Sequence, residues 1–594
     1  MIDKAPVKIL TPIGMMGYGY DAGKLYQGIQ LGATALIMDA GSTDSGPQKL
    51  ALGEGTCPHE AHVRDFAAVI DAVYHHKVKL IVASAGGDGT NSHVDEFVDI
   101  VKDYCVEKGY NLKLAKIYAN IPRDRIHKAL KQGVVKPCGT VPELKPEDID
   151  EAVDIVAQMG HEPYVDILEK VPDVDIIIGG RTYDPAPYAA YCIANGITNL
   201  GTVYHMGKVM ECGAMCSWPK SREALATIWD DRFEILPLQS MSKCSPHSLA
   251  AHSLYENPNV DLHAGPGGIL DLTQTVFEQT GERTAGASGA VFRKTEYTVK
   301  LEGAKILGYR SIWMGSFRDP TLIGQIDEFQ EKLKGYVREK FKGVEFDIAM
   351  KAYGKNGTMG PLETDTSVAK EIFLLGEIQA GNQTLATQIA NTARVFCVHA
   401  PYKGQTSTTG NFAMPLTNLE IPLGHACCFN VYHLLPVNDP LEFFPWSTEQ
   451  VGPTRSTAER IPDFGFDLIK PDPPTSANGT NGVTTQVELI RDQTPVTKIA
   501  KDVRSKNAGP YEITFDIIFN DLEAFNFAKG SKKLTAEYLA PLWNASPKDA
   551  IACQFSEPAR AFKFTLPRPW QAGGFGERDL HCSQQHVPLL NLVL

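Results

Sequence analysis

The sequence lacks an apolar run near the ~20 residues that would cross a bilayer. It lacks a CxxC pair among its twelve cysteines, and it lacks an internal repeat. It also lacks a cationic excess, with 57 basic against 70 acidic residues and a net charge of −13. The first absence argues against a membrane partner. The second argues against a thiolate metal site or a disulfide framework, so the thiols are expected free in a reducing compartment. The third argues against nucleic acid, which needs a basic face. An anionic small molecule stays compatible, because a local cationic pocket can sit on an acidic protein. The opening run VKILTPIG is too short for a signal peptide and reads as a first strand. The expected location is cytoplasmic. With 594 residues the chain exceeds one core, and two or three domains are expected.

Short runs rich in Val, Ile and Leu alternate with helical patterns over the first 200 residues. Strands are expected at 7–14, 33–41, 79–87, 112–121 and 174–180. Helices are expected at 61–77, 93–109, 146–160 and 185–196. This alternation predicts an α/β fold built on a mostly parallel, Rossmann-like sheet over residues 1–264. Longer alternating runs and one amphipathic stretch, LIGQIDEFQEKLKGYVREKF, predict an α+β domain at 265–469. The Pro-, Asn- and Gly-rich segment 470–483 reads as a linker, and 484–594 as a small C-terminal α+β domain.

In a parallel sheet, ligands sit beyond the carboxyl ends of the strands. Four glycine-rich, polar segments fall there: 14–19, 39–47, 85–91 and 179–185. In the second, Ser42, Thr43 and Ser45 offer hydroxyls beside Asp39. In the third, Gly86, Gly87, Asp88, Gly89 and Thr90 spell the GGDGT of some nucleotide kinases, and the following helix would point free N–H groups at an anion. In the fourth, Arg181 suits bidentate binding of carboxylate or phosphate, and Asp184 precedes a proline as a helix cap does. Farther on, GKVMECGA sets Lys208, Glu211 and Cys212 together. A buried glutamate there suits general acid–base work, and a cysteine there suits a nucleophile or acid. His252 is a candidate proton carrier. In the tail, Arg504, Ser505, Lys506 and Asn507 form a second cationic cradle.

The set DAGSTDSGP, SAGG, IGGRTYDPAP, GKVMECGA and AHSLYEN, in this order, resembles the acyclic terpene utilisation (AtuA-like) family over about residues 5–460. The tail RSKNAGPYEITFDIIF and QQHVPLL is similar to a small uncharacterised domain fused to, or encoded beside, that family. The resemblance implies catabolism of branched acids and terpenoid acyl-CoA esters. It also implies a neighbourhood of methylaspartate or dicarboxylate breakdown. Many members carry histidine where this chain has Lys208; Glu211 and Cys212 match.

These readings converge on a lyase (hydratase or dehydratase) or isomerase acting on a small di- or tricarboxylate, or its CoA thioester. Glu211 would abstract a proton α to a carbonyl. Cys212 or His252 would supply one, and Arg181 would be the main cation. No cofactor is assigned; a divalent metal is compatible, and CoA would enter as part of the substrate. A homo-oligomer is expected. A nucleotide-dependent kinase or oxidoreductase, and a non-catalytic scaffold, are the alternatives.

Overall fold

The computed structural model describes residues 5–41, 45–406, 409–470 and 488–594. Five strands made of buried aliphatic residues run parallel at its centre. Their order is Val7–Thr11, Ala35–Asp39, Lys79–Ala83, Ile176–Gly179 and Leu112–Ile117. Burial on both faces explains their largely apolar composition, interrupted by the partly buried Lys8, Lys79, Lys113 and Lys116. Antiparallel strands extend this sheet to ten. Ala224–Ile228, Arg232–Pro237, Ala285–Ser288 and Val276–Gln279 lie on one side, and Trp446–Val451 on the other. Chain from both sides of residue 264 therefore builds the first sheet. Helices His59–His76 and Asn91–Lys108 cover one face with Phe66, Val69, Phe97 and Val101.

One helix differs from the sequence reading. The helix expected over 146–160 stops at Glu151, and Ile155–Gln158 is a strand paired with Lys300–Gly303. Ile155, Val156 and Ala157 are all buried, which a strand between two layers allows and a one-faced helix does not.

The second sheet is antiparallel and carries the 20-residue strand Thr298–Phe317, bent by three register shifts against Glu420–Pro436. Such irregularities let one long strand serve two layers. Helices Ile326–Lys340 and Gln383–His399 pack on its distal half around Trp313, Phe317 and Phe329. The C-terminal unit is a four-stranded antiparallel sheet ordered Ala500–Asn507, Glu512–Phe519, Ala561–Pro567 and Ala552–Ser556. Its core is Phe515, Phe519, Phe562 and Phe564. It docks on helix Pro246–Ser253 through Ile518, Ala559 and Ala561 against Ala250, Ala251 and Leu254. The fold class is thus mixed α/β, with a largely parallel central sheet, an antiparallel second sheet and a small antiparallel C-terminal sheet.

Among the described residues no helix is long and apolar enough to cross a membrane. All twelve cysteines are free. The expected linker lies, apart from Lys470, outside the described residues.

Candidate active site

A cavity of about 890 Å³ opens at the carboxyl ends of the parallel strands and is roofed by the C-terminal domain. Three of the four strand-end loops reach it. Ile13, Gly14 and Met15 follow the first strand, Asp39, Gly41 and Ser45 the second, and Arg181, Tyr183 and Asp184 the strand Ile176–Gly179. Lys208, Glu211 and Cys212 arrive from the end of helix Leu200–Met210. Tyr255, Glu256 and His263 come from the segment after helix Pro246–Ser253, and Lys300 from the long bent strand.

The fourth loop does not line the cavity. Gly86, Gly87, Asp88, Gly89 and Thr90 are buried and filled by the protein itself. A Cβ on Gly86 would meet His93, and one on Gly87 would meet Thr56 and Lys49. Asp88 accepts from the Thr90 amide at 2.8 Å and pairs with His93 Nδ1 at 2.7 Å. The anion expected in the GGDGT turn is replaced by the Asp88 carboxylate. Gly89, at φ +68, lies so close to the next elbow that a Cβ would come 2.1 Å from the Arg181 nitrogen. The glycines therefore serve the packing of two elbows.

Arg181 is 3% exposed and lines the cavity, and a buried carboxylate of the protein already pairs with it. Its Nε donates to Glu302 Oε2 at 2.8 Å and its Nη2 to Oε1 at 3.3 Å. Nη1 reaches Ser84 Oγ at 3.3 Å and lies 3.7 Å from Asp184. Ser84 holds φ +50, a conformation a β-carbon disfavours, so the elbow behind Arg181 is strained. Lys300 also contacts Glu302 at 3.1 Å and sits over the Tyr432 ring. Two cations thus share one buried carboxylate. Burial works against both charges; Glu302 chiefly holds Arg181 above its ordinary range, and Tyr432 and then Glu302 do so for Lys300.

Lys208 is an ion-pair partner of Glu211, three residues on, and both are buried. Burial pushes the Glu211 carboxyl up to about 8 against the pull of Lys208, with Asp184 adding to the rise. Burial, and then Asp184, also raise Asp39 well above the carboxylate range. Its Oδ1 accepts from the amides of Ala40 at 2.9 Å and Gly41 at 3.1 Å. Glu256 is raised by burial too, and its backbone stands at φ +62.

The remaining expected residues divide. Ser45 and Asn507 line the cavity; Ser42 and Thr43 lie outside the described residues. Cys212 lines it, and burial and then Glu211 lift its thiol well above its ordinary range, which disfavours the thiolate. His252 is buried behind the wall. Burial, with Lys208 and Arg504, holds it well below its ordinary range, which disfavours the charged imidazolium. The RSKN segment is an edge strand, and alternation splits it. Arg504 pairs with Asp516 at 2.9 Å and donates to Ala251 O at 2.9 Å. Ser505 turns to Cys582 O. Lys506 reaches the cavity. Sequence reasoning passed over Glu256, His263, Lys300 and Glu302. AHSLYEN ends beside Glu256, and the other three sit in strands, where period-two alternation does not say which face meets a ligand. Among the described residues no group of three His, Cys, Asp or Glu is arranged to hold a metal ion.

A mixed α/β chain whose sheet-end loops gather paired charges around a cavity is the class defined by this fold and site. Residues 56–222 match the family model described as "Acyclic terpene utilisation family protein AtuA", which contributes Arg181, Asp184, Lys208, Glu211 and Cys212. Residues 496–593 match "Domain of unknown function (DUF4387)", the cavity roof. The chain carries an AtuA family domain followed by a C-terminal DUF4387 domain. No curated protein and no solved structure matches it.

Proposed function

We propose that the chain is an acid–base enzyme of carboxylic-acid catabolism. It acts as a hydratase, dehydratase or isomerase on a small di- or tricarboxylate or its CoA thioester. The observation that carries this reading is Glu211, a cavity-lining carboxyl raised to about 8 and paired with Lys208. A base with that affinity holds a proton taken from a carbon α to a carbonyl, where an ordinary carboxylate would not.

In the dehydrating direction the α-proton passes to Glu211, and the C–H electron pair moves onto the carbonyl oxygen as an enolate. The cationic side chains beside it favour that charge. The enolate then collapses to a carbon–carbon double bond and expels a β-hydroxyl. The hydroxyl takes a proton from Asp39, whose carboxyl burial pushes well above the carboxylate range, and leaves as water. Asp39 suits this step better than Cys212 or His252. Addition of water reverses the sequence, and an isomerase returns the proton to another carbon. The matched family's description, acyclic terpene utilisation, agrees with a role in acid breakdown.

The test is α-proton exchange into D₂O across succinate, malate, citrate and short acyl-CoA esters, followed by NMR. Glu211→Gln is expected to slow exchange of the responsive acid by about 10²–10⁴-fold. Undiminished exchange in that variant would remove the reading.

A further inference from the structure

The C-terminal domain has no assigned role, yet its residues Lys506, Asn507, Gly509, Glu512 and His581 line the same cavity as Glu211. Lys506 lies on the cavity side of strand Ala500–Asn507 and is mostly buried. Its ammonium contacts Glu256 Oε1 at 2.9 Å and Asn507 Oδ1 at 2.8 Å, and it lies over the Tyr255 ring. The backbone behind it is braced, because the Asn507 amide donates to His581 O at 3.1 Å. Glu256, its carboxylate partner, belongs to the short segment that the C-terminal domain covers. Thr565 Oγ1 donates to Pro258 O at 2.9 Å and Arg504 to Ala251 O, on either side of Glu256.

Resting on the acid–base reading above, we infer that the C-terminal domain is the second carboxylate clamp of the site. Lys506 exchanges Glu256 for a carboxylate of the substrate, so the substrate is a free acid with at least two carboxylates.

Three observations support the exchange. Lys506 and Glu256 meet inside the cavity wall, so a ligand carboxylate can take the place of Glu256 without a new cation being buried. Burial raises Glu256, so the displaced carboxyl is readily protonated and leaves without a stranded charge. Burial also pulls the Lys506 ammonium down to about 7, so the pocket favours an anion against it, whether Glu256 or a ligand carboxylate. The opposite wall has its own cations, Arg181 and Lys300, which share Glu302. One anionic end of a ligand against that wall and another against Lys506 span the space in which Glu211 stands.

The experiment uses the full chain and measures dissociation constants for succinate, malate and citrate, with butyrate as the single-carboxylate probe. The tightest di- or tricarboxylate is expected to lose at least about tenfold in affinity in Lys506→Ala, as removal of one charge-assisted contact does. Lys506→Arg is expected to keep it, Glu256→Gln to bind it more tightly, and butyrate to respond to none of the three. The inference is overturned if Lys506→Ala binds that acid as wild type does, if butyrate loses as much as the diacid, or if no diacid binds wild type. Should Lys506→Ala fail to fold, Glu256→Gln decides by the same measure: unchanged or weaker binding overturns the inference. Loss of α-proton exchange in Glu211→Gln with unchanged binding in Lys506→Ala removes this inference and leaves the acid–base reading standing. The reverse pattern removes only that reading.

Discussion

At the scale of single residues, the chemistry rests on how far burial and a neighbouring cation oppose each other at Glu211. Burial favours the neutral carboxyl and Lys208 favours the carboxylate; the balance stands at about 8. The working base is the deprotonated form, so turnover is expected to rise with pH through about 8 and to level above it. Lys208→Met removes the cation that holds Glu211 down. The rising limb of kcat/KM is then expected to move to higher pH, with activity at pH 7 falling at least about tenfold. The pH–rate profiles of the two proteins check this, and an unmoved limb would mean that another group titrates. The resemblance to the AtuA-like family implies a histidine in many family members at the position of Lys208. The pair Lys208–Glu211 shows what the lysine does there: it keeps a permanent charge three residues from the base, where a buried imidazole would be neutral, as His252 and His263 are.

At the scale of elements, the elbows after the parallel strands decide which side chains face the cavity. Gly89 lets the GGDGT turn rest against the backbone of Arg181, and neither its φ of +68 nor its spacing accommodates a side chain. Gly89→Ala is expected to destabilise the protein by about 1–3 kcal/mol. It is also expected to weaken ligand binding by displacing Arg181, read as a lowered denaturation midpoint with reduced affinity for the same acids. This elbow shows how far the sequence was legible. Apolar runs gave the parallel strands, because burial on both faces leaves its mark in composition. Three of the four strand-end loops lie at the cavity, because chain direction alone puts them at one rim. The contents of the fourth were not legible: a glycine turn that cradles an external anion and one that cradles its own Asp88 have the same letters. Nor did the sequence reveal that Glu302, 121 residues away from Arg181, would occupy that guanidinium. That pairing depends on the register of Thr298–Phe317 against Ile155–Gln158, a long-range property. The helix expected over 146–160 failed for a related reason, since Ile155 to Gln158 are recruited as a strand by that same register.

At the scale of the whole molecule, the cavity lies where the central, second and C-terminal sheets meet, with His263 added from a small three-stranded sheet that includes Leu262–Gly265, and the meeting is held at a few points. One is Arg578, on the loop that leads to His581. Its guanidinium donates to the main-chain oxygens of Met350 at 3.1 Å, Asn356 at 3.2 Å and Gly357 at 2.7 Å, fixing the C-terminal domain to the second-sheet domain. The anchor continues into the site. Arg578 holds the loop, His581 O on that loop accepts from the Asn507 amide, and Lys506 precedes Asn507. Removing the guanidinium in Arg578→Ala takes a charged donor from three carbonyls, of which Asn356 O keeps the Gly360 amide at 2.8 Å, and costs about 1.5–3 kcal/mol, the range for hydrogen bonds to a charged group. The central sheet makes none of these bonds, so its stability is expected to hold. Hydrogen exchange is expected to quicken over residues 500–512 and 577–582 and to stay slow in the strands Lys79–Ala83 and Ile176–Gly179. Acid affinity is expected to fall by less than in Lys506→Ala, because the lysine remains but its support is loosened. Uniformly faster exchange throughout the chain would show instead that the three sheets unfold as one cooperative unit, with the roof no looser than the floor.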